Sequence, residues 1–165
     1  MLFSIKLPKM GDRNEEFIEA CSNVPDGTTL LDLRENSLGL SKIDTKTIEA
    51  AYQILPQTIT TFDFSRNSLF VTTAGKSTSQ AYLQRIPLNV HTLILDDHGN
   101  GTLLEALNVV PKHITSLVIH LGSIMLKSFL DEKRNAIFNA FPKTLESLDF
   151  SNSILFYPRS SKELH

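Results

Sequence analysis

Hydrophobic positions in this chain fall into a repeated phrase that starts at a proline. Counting from the proline, the marked positions are offsets three, six and eight. They are Thr28, Leu31 and Leu33 after Pro25, and Ile59, Phe62 and Phe64 after Pro56. Pro87 is followed by Val90, Leu93 and Leu95, Pro111 by Ile114, Leu117 and Ile119, and Pro142 by Leu145, Leu148 and Phe150. The prolines stand 31, 31, 24 and 31 residues apart. Offsets six and eight alternate as in a strand with one buried face. A supersecondary unit repeated at this period predicts a solenoid, each unit burying its apolar side against the next.

Between the phrases the period changes to that of a helix. Phe17, Ala20, Cys21 and Val24 lie at i, i+3, i+4, i+7, as do Ile48, Ala51, Tyr52 and Leu55. This predicts helices over 12–23 and 44–55, opened by Asp12 and Asp44 as N-caps. Tyr82, Leu83 and Ile86 place a third over 77–86. Leu103, Ala106, Leu107 and Val110 place a short one over 102–110, and Ile137, Phe138 and Phe141 a long one over 125–141. Proline then stops each helix at the same place. Leu2, Ile5, Leu7 and Met10 match the phrase loosely and predict a sixth, capping copy at the N-terminus.

Asn36 and Asn67 follow three residues after the last apolar residue of their strands, and Leu38 and Leu69 come two later. This is the leucine-rich-repeat pattern L-x-x-L-x-L-x-x-N-x-L. The Asn side chain can bond turn backbone that would otherwise be buried unpaired. Later copies put His98, Gly122 and Ser153 at that place, so their turns are expected to differ. The expected fold is α/β: a leucine-rich-repeat solenoid, one domain over 1–165 with about six repeats. Residues 1–24 form its N-terminal cap and 142–165 its last repeat and tail.

Strands about 4.8 Å apart and helices about 10 Å wide cannot stack straight, so the strands should line the inside of an arc. Six strands make an inner face roughly 24 Å long. Residues flanking the buried pairs point out from it. They are Ser4, Lys6 and Pro8, then Leu30, Asp32 and Arg34, then Thr61, Asp63 and Ser65. Thr92, Ile94 and Asp96, then Ser116, Val118 and His120, and finally Ser147, Asp149 and Ser151 complete the set. These are the candidate partner-binding residues, apart from the first strand, Ser65 and Ser151. Asp32, Asp63 and Asp149 share one row with Ile94 and Val118 between them. That reads either as an acidic surround to an apolar interface centre or as aspartates that merely solvate strands. Ile94 and Val118 suggest a covered patch, although β-branched residues also simply favour strands. The face is smaller than a standard interface, so the loop residues Glu35, Arg66 and Asp97 and the tail 156–159 are added as candidates. Phe156 is expected to cap the last repeat, while Tyr157 could cap or bind.

Composition narrows the function. The chain has 165 residues, net charge −2 and a single cysteine. A broad basic surface for nucleic acid is therefore not expected, nor is an intrachain disulfide or a four-cysteine metal site. No apolar run suffices to span a membrane, and the first residues are too broken for a signal peptide. Catalytic and cofactor readings are weak. Asp96-Asp97-His98 is too compact a set to surround an ion. Ser116, His120 and Asp149 could be drawn as a triad, but no nucleophile elbow accompanies them. Gly99-Asn100-Gly101 lacks the lysine of a phosphate loop, and Cys21 occupies a core slot. No enzyme activity, cofactor, metal or small-molecule substrate is expected.

The run Leu55 to Asn67, with Val24 to Asn36 and Phe141 to Asn152, resembles the repeats of Legionella leucine-rich-repeat effectors. The helical outer layer resembles the ribonuclease-inhibitor class. The resemblance implies a bacterial protein passed into host cytoplasm by type IV secretion. It implies binding to a protein partner, either a host protein or another effector whose enzyme it regulates or inhibits. It brings no catalytic residues. Whether the plain tail 160–165 acts as a secretion signal stays open.

Overall fold

The computed structural model describes residues 1–8, 13–69, 76–97, 103–121 and 131–150. Six strands form one open parallel sheet in strictly sequential order. They are β1 (Leu2–Ser4), β2 (Leu30–Asp32), β3 (Thr61–Asp63), β4 (Thr92–Asp97), β5 (Ser116–Leu121) and β6 (Ser147–Asp149). Helices α1 (Arg13–Ser22), α2 (Thr45–Gln53), α3 (Lys76–Gln84), α4 (Leu103–Leu107) and α5 (Asp131–Ala140) alternate with them. The proline-marked phrase thus makes a parallel solenoid, as the spacing predicts. The Asp44 side chain accepts the Thr47 N–H at 2.7 Å and caps α2. Asp12 lies outside the described residues.

One layer of side chains holds sheet to helices. Leu31, Leu33, Phe62, Phe64, Leu93, Leu95, Leu117 and Ile119 are buried to 2% exposure or less. They meet Phe17, Cys21, Ala51, Tyr52, Tyr82 and Leu83 from the helices in a single cluster. Each such large side chain contributes roughly 1.5–3 kcal/mol through burial. Phe17 meets Tyr82 edge-on at 5.8 Å, and Phe62 meets Phe64 likewise at 5.7 Å. The Tyr52 hydroxyl donates to the Tyr82 carbonyl at 3.1 Å, which satisfies its polar end inside the core. Burial pushes the Cys21 thiol up to about 12, so it stays protonated and packs as an apolar group.

Asn36 and Asn67 form a ladder at the strand exits. The Asn67 Nδ2 donates to the carbonyls of Leu33 (2.8 Å) and Phe64 (3.0 Å), and its Oδ1 accepts the Asn36 N–H at 2.9 Å. Asn36 repeats this one unit earlier, donating to Ile5 and Leu33 and accepting from Leu7. Residues on either side of each Asn take positive φ: Glu35 and Ser37, Arg66 and Ser68. A second ladder lies at offset two, at the strand entries. Thr58 donates to the Thr28 carbonyl, Asn89 to Gln57 and Ile59, and Thr144 to Lys112 and Ile114.

Two expectations are corrected. In the first strand Leu2 pairs with Leu30 and Phe3 with Leu31, so Phe3 and Ile5, rather than Ile5 and Leu7, take the places of Leu31 and Leu33, and Leu7 packs on the core one step beyond them. A slide of two residues keeps the in–out alternation, so the pattern alone could not distinguish the registers. The Asn36 bonds to Ile5 and Leu7 select the observed one. Ser4 and Lys6 therefore stand one row later than expected, and Pro8 falls past the rows that β2 and β3 supply. Phe138 occupies the slot filled by buried Tyr52 and Leu83 in earlier copies, yet it is 61% exposed. No described repeat lies beyond it to cover it.

Candidate functional site

The sheet face away from the helices carries the predicted rows. Leu30, Thr61, Thr92, Ser116 and Ser147 form one row of register partners. Asp32, Asp63, Ile94, Val118 and Asp149 form the next. Asp96 pairs with His120 beyond them, and Arg34 stands at the corresponding offset after β2.

The two ends of this face differ chemically. Asp32 and Asp63 are only 3% and 7% exposed, so they are not open acids around an apolar centre. Asp32 accepts the backbone N–H, Nε and Nη2 of Arg34, each at 2.9 Å, and the Ser4 hydroxyl at 3.1 Å. Burial alone would raise its carboxyl. The bonds from Arg34 and Ser4 outweigh that and hold it below the ordinary carboxylate range. Asp63 turns onto the Ser65 N–H (2.9 Å) and hydroxyl, with the Arg34 Nε at 3.5 Å. The Arg66 guanidinium pairs with Glu35 at 2.8 Å, and Lys6 lies 3.9 Å from the same carboxylate. The Arg66 backbone N–H also binds the Asp96 carboxylate. At this end the charged side chains are paired with one another within and across neighbouring repeats.

Toward β6 the face changes. Ile94 and Val118 are direct partners, both partly exposed, with hydroxyls of Thr92 and Ser116 before them and Asp96 and His120 after. Asp149 stands beside Val118 on β6 and is exposed. Sequence reasoning missed that Asp32 and Asp63 serve the turn two residues on. The signal for it is the Asp-x-Arg and Asp-x-Ser spacing, in which a short carboxylate reaches the N–H at i+2.

Ser116 and His120 sit four residues apart on one strand, roughly 13 Å by strand rise, so Ser116, His120 and Asp149 do not assemble into a triad. Among the described residues no group of three or more His, Cys, Asp or Glu could hold a metal ion. His98, Gly99-Asn100-Gly101 and the tail 151–165 lie outside the described residues. Among those described, no helix is long and apolar enough to cross a membrane.

No family model matches the chain, and no curated protein is significantly similar to it. Among solved structures it is similar to the leucine-rich repeat-containing protein LegL7 from Legionella pneumophila, with TM-score 0.71 and 26% identity. The likeness covers 91% of this chain and 45% of that protein, so the chain spans less than half of its length. The sequential parallel strands, the asparagine ladder and this likeness lead to one assignment: the chain is a leucine-rich-repeat solenoid similar to that Legionella protein.

Proposed function

We propose that the chain is a non-enzymatic protein-interaction module that grips one partner through its sheet face and the adjoining strand-exit loops. The carrying observation is the register pair Ile94–Val118, two apolar side chains left partly exposed where the earlier strands place buried aspartates. Repeat solenoids expose such a face along their length and use it for binding. The Legionella likeness supports a bacterial effector that acts inside a host cell after type IV secretion. Its partner would be a host protein or a second effector, inhibited or redirected by the contact.

Affinity capture from host-cell and bacterial lysates, each with wild type and with the Ile94→Lys, Val118→Glu double variant, tests the reading. A stoichiometric protein lost in the double variant, with its melting transition retained, is the expected result. Capture undiminished by the double variant overturns the sheet-face assignment. A second reading, a scaffold that self-associates, draws on Phe138 and Leu148, exposed at 61% and 37% on the last described repeat. Light scattering would then give a mass that rises with concentration and falls to monomer on Phe138→Ser.

A further inference from the structure

We propose that the turn tips at the strand entries of the last three repeats, Leu88, Lys112 and Lys143, form a second docking edge, which takes an extended acidic segment of a partner protein led by an apolar residue. This edge does not depend on the sheet-face reading, because it lies at offset one, outside the rows that carry Ile94 and Val118. Each repeat enters its strand through a turn closed by a bond back to the proline carbonyl. Val90 N–H donates to Pro87 at 3.0 Å, Ile114 to Pro111 at 3.1 Å and Leu145 to Pro142 at 3.0 Å. The offset-three side chains pack into the core, which leaves offset one exposed at the tip. The Thr144 hydroxyl donates to the Lys112 carbonyl at 2.7 Å and so ties the two lysine turns together. The β4–β5 pairing joins the Leu88 repeat to them. The tips thus stand in line, about 5 Å from one repeat to the next, and need little ordering to receive a ligand.

Charge and exposure set the ligand's chemistry. Lys6, Arg34, Arg66 and Arg85 each face a carboxylate of this chain. Lys112 and Lys143 form no ion pair among the described residues, and Glu146 is the one carboxylate within offsets one to five of these three repeats. Leu88 is 83% exposed, more than any other large apolar side chain among the described residues. In the other direction the row runs through Gln57 to Asp26, which repels acid, so an acidic run is accepted on the lysine side only. Alternate side chains of an extended peptide are about 7 Å apart on one side. An apolar residue on Leu88 therefore brings its i+2 and i+4 positions within reach of the long lysine stems. Two free lysines are too few for an anionic membrane, which is marked by clusters of about four to eight.

NMR titration of the ¹⁵N-labelled full chain with a twelve-residue peptide, Leu followed by Glu at alternate positions, tests this beside its Gln and Lys analogues. Expected are saturating shifts of the amides of 88–89, 112–113 and 143–144 with the Glu peptide alone, weakened by salt. Affinity falls at least tenfold in the Lys112→Glu, Lys143→Glu double variant, severalfold in Leu88→Ser and less than twofold in Val118→Glu. The double variant to Gln, with a severalfold loss expected, replaces the Glu one if that does not melt cooperatively. Lysines that serve only the carbonyls at the helix ends would lower the melting temperature when changed to Gln and leave the titration unchanged, which overturns the proposal. Equal shifts with the Gln or Lys peptide overturn it as well. So does sedimentation with phosphatidylserine vesicles without peptide shifts, in favour of a membrane. Shifts confined to the strands around Ile94 and Val118 overturn the edge and leave the sheet-face reading standing.

Discussion

Repeats two and three of this solenoid, built on β2 and β3, do one job with their polar residues; those built on β4 and β5 do another. In the first pair, strands stop after three paired residues. Asn36 and Asn67 take up the freed backbone, and the chain turns through left-handed residues at offsets ten and twelve. In the second pair no Asn stands at that place, and β4 and β5 stay paired for six residues, through Asp97 and Leu121. Where the ladder is absent, continued strand pairing satisfies the same backbone groups. The outward rows follow suit: aspartates tied into turns on one side, Ile94 and Val118 on the other. Polar side chains used to lock the fold are not available to a partner, and apolar ones left over the sheet are.

The largest effect that would break this comparison lies in the ladder. Asn67→Ala strands the Phe64 carbonyl and the Asn36 N–H at a site with 0% exposure, and takes from the Leu33 carbonyl one of the two amide donors it accepts. Each orphaned buried group costs about 1–3 kcal/mol, so a loss of roughly 3–5 kcal/mol is expected in urea unfolding. Thr144→Ala removes a ladder bond on an exposed residue of the later half and should cost about 1 kcal/mol or less. Equal losses would remove the distinction between a locked half and an open one.

Next comes the contact between repeats at Gly39. A Cβ built there would stand 2.0 Å from the Ser68 carbonyl oxygen, which is backbone and cannot swing aside. Gly39→Ala should cost about 2–3 kcal/mol by forcing the two turns apart, measured as a lower melting temperature. A neutral result would mean that the two turns are not closely stacked.

How much of this was legible follows from what each feature repeats. The prolines, the buried pairs and Asn36 with Asn67 recur at fixed offsets, so periodicity exposes them. The rows of the sheet face follow from the same offsets, and they hold from Leu30 to Asp149. The Thr58–Asn89–Thr144 ladder escapes that reading because different residue types do the work at one offset, and Gly39 because its close approach to the Ser68 carbonyl leaves no mark in the apolar pattern. The burial of Asp32 and Asp63 escapes it because their partners, Arg34 and Ser65, lie outside the apolar pattern. The short α4, five residues where nine were expected, fits the 24-residue spacing. That repeat has too little chain for a full outer helix.

A smaller effect concerns acid. The Asp32 carboxyl is held below its ordinary range, so the folded state binds its proton less readily than the unfolded chain does. Its contribution is present above the unfolded value near pH 4 and is lost as pH falls through the lower folded value. Asp32→Asn should cost about 1–2 kcal/mol at pH 7 and melt with a shallower dependence on pH below about 4 than wild type. Parallel curves would show that Asp32 is not the ionised lock of this half.

The smallest effect is also the most direct test of the contrast, because one substitution at one offset should change sign. Glu35, at offset ten, has φ 64°, a conformation that costs an ordinary residue about 1 kcal/mol and glycine almost nothing. Its pairs with Arg66 and Lys6 are exposed, so their loss matters little. Glu35→Gly is therefore expected to stabilise slightly, by up to about 0.5 kcal/mol, since the glycine's extra unfolded-state entropy offsets part of the relief. Asp97 holds the same offset one half later, but there the chain is extended and paired with Leu121. Glycine in a strand loses packing and conformational restriction, so Asp97→Gly should destabilise by about 1 kcal/mol. Opposite shifts in melting temperature would show that the same place in the repeat is a turn in one half and a strand in the other. Shifts of the same sign would mean that β4 and β5 do not extend past the common turn, and with them would go the open, apolar half of the face.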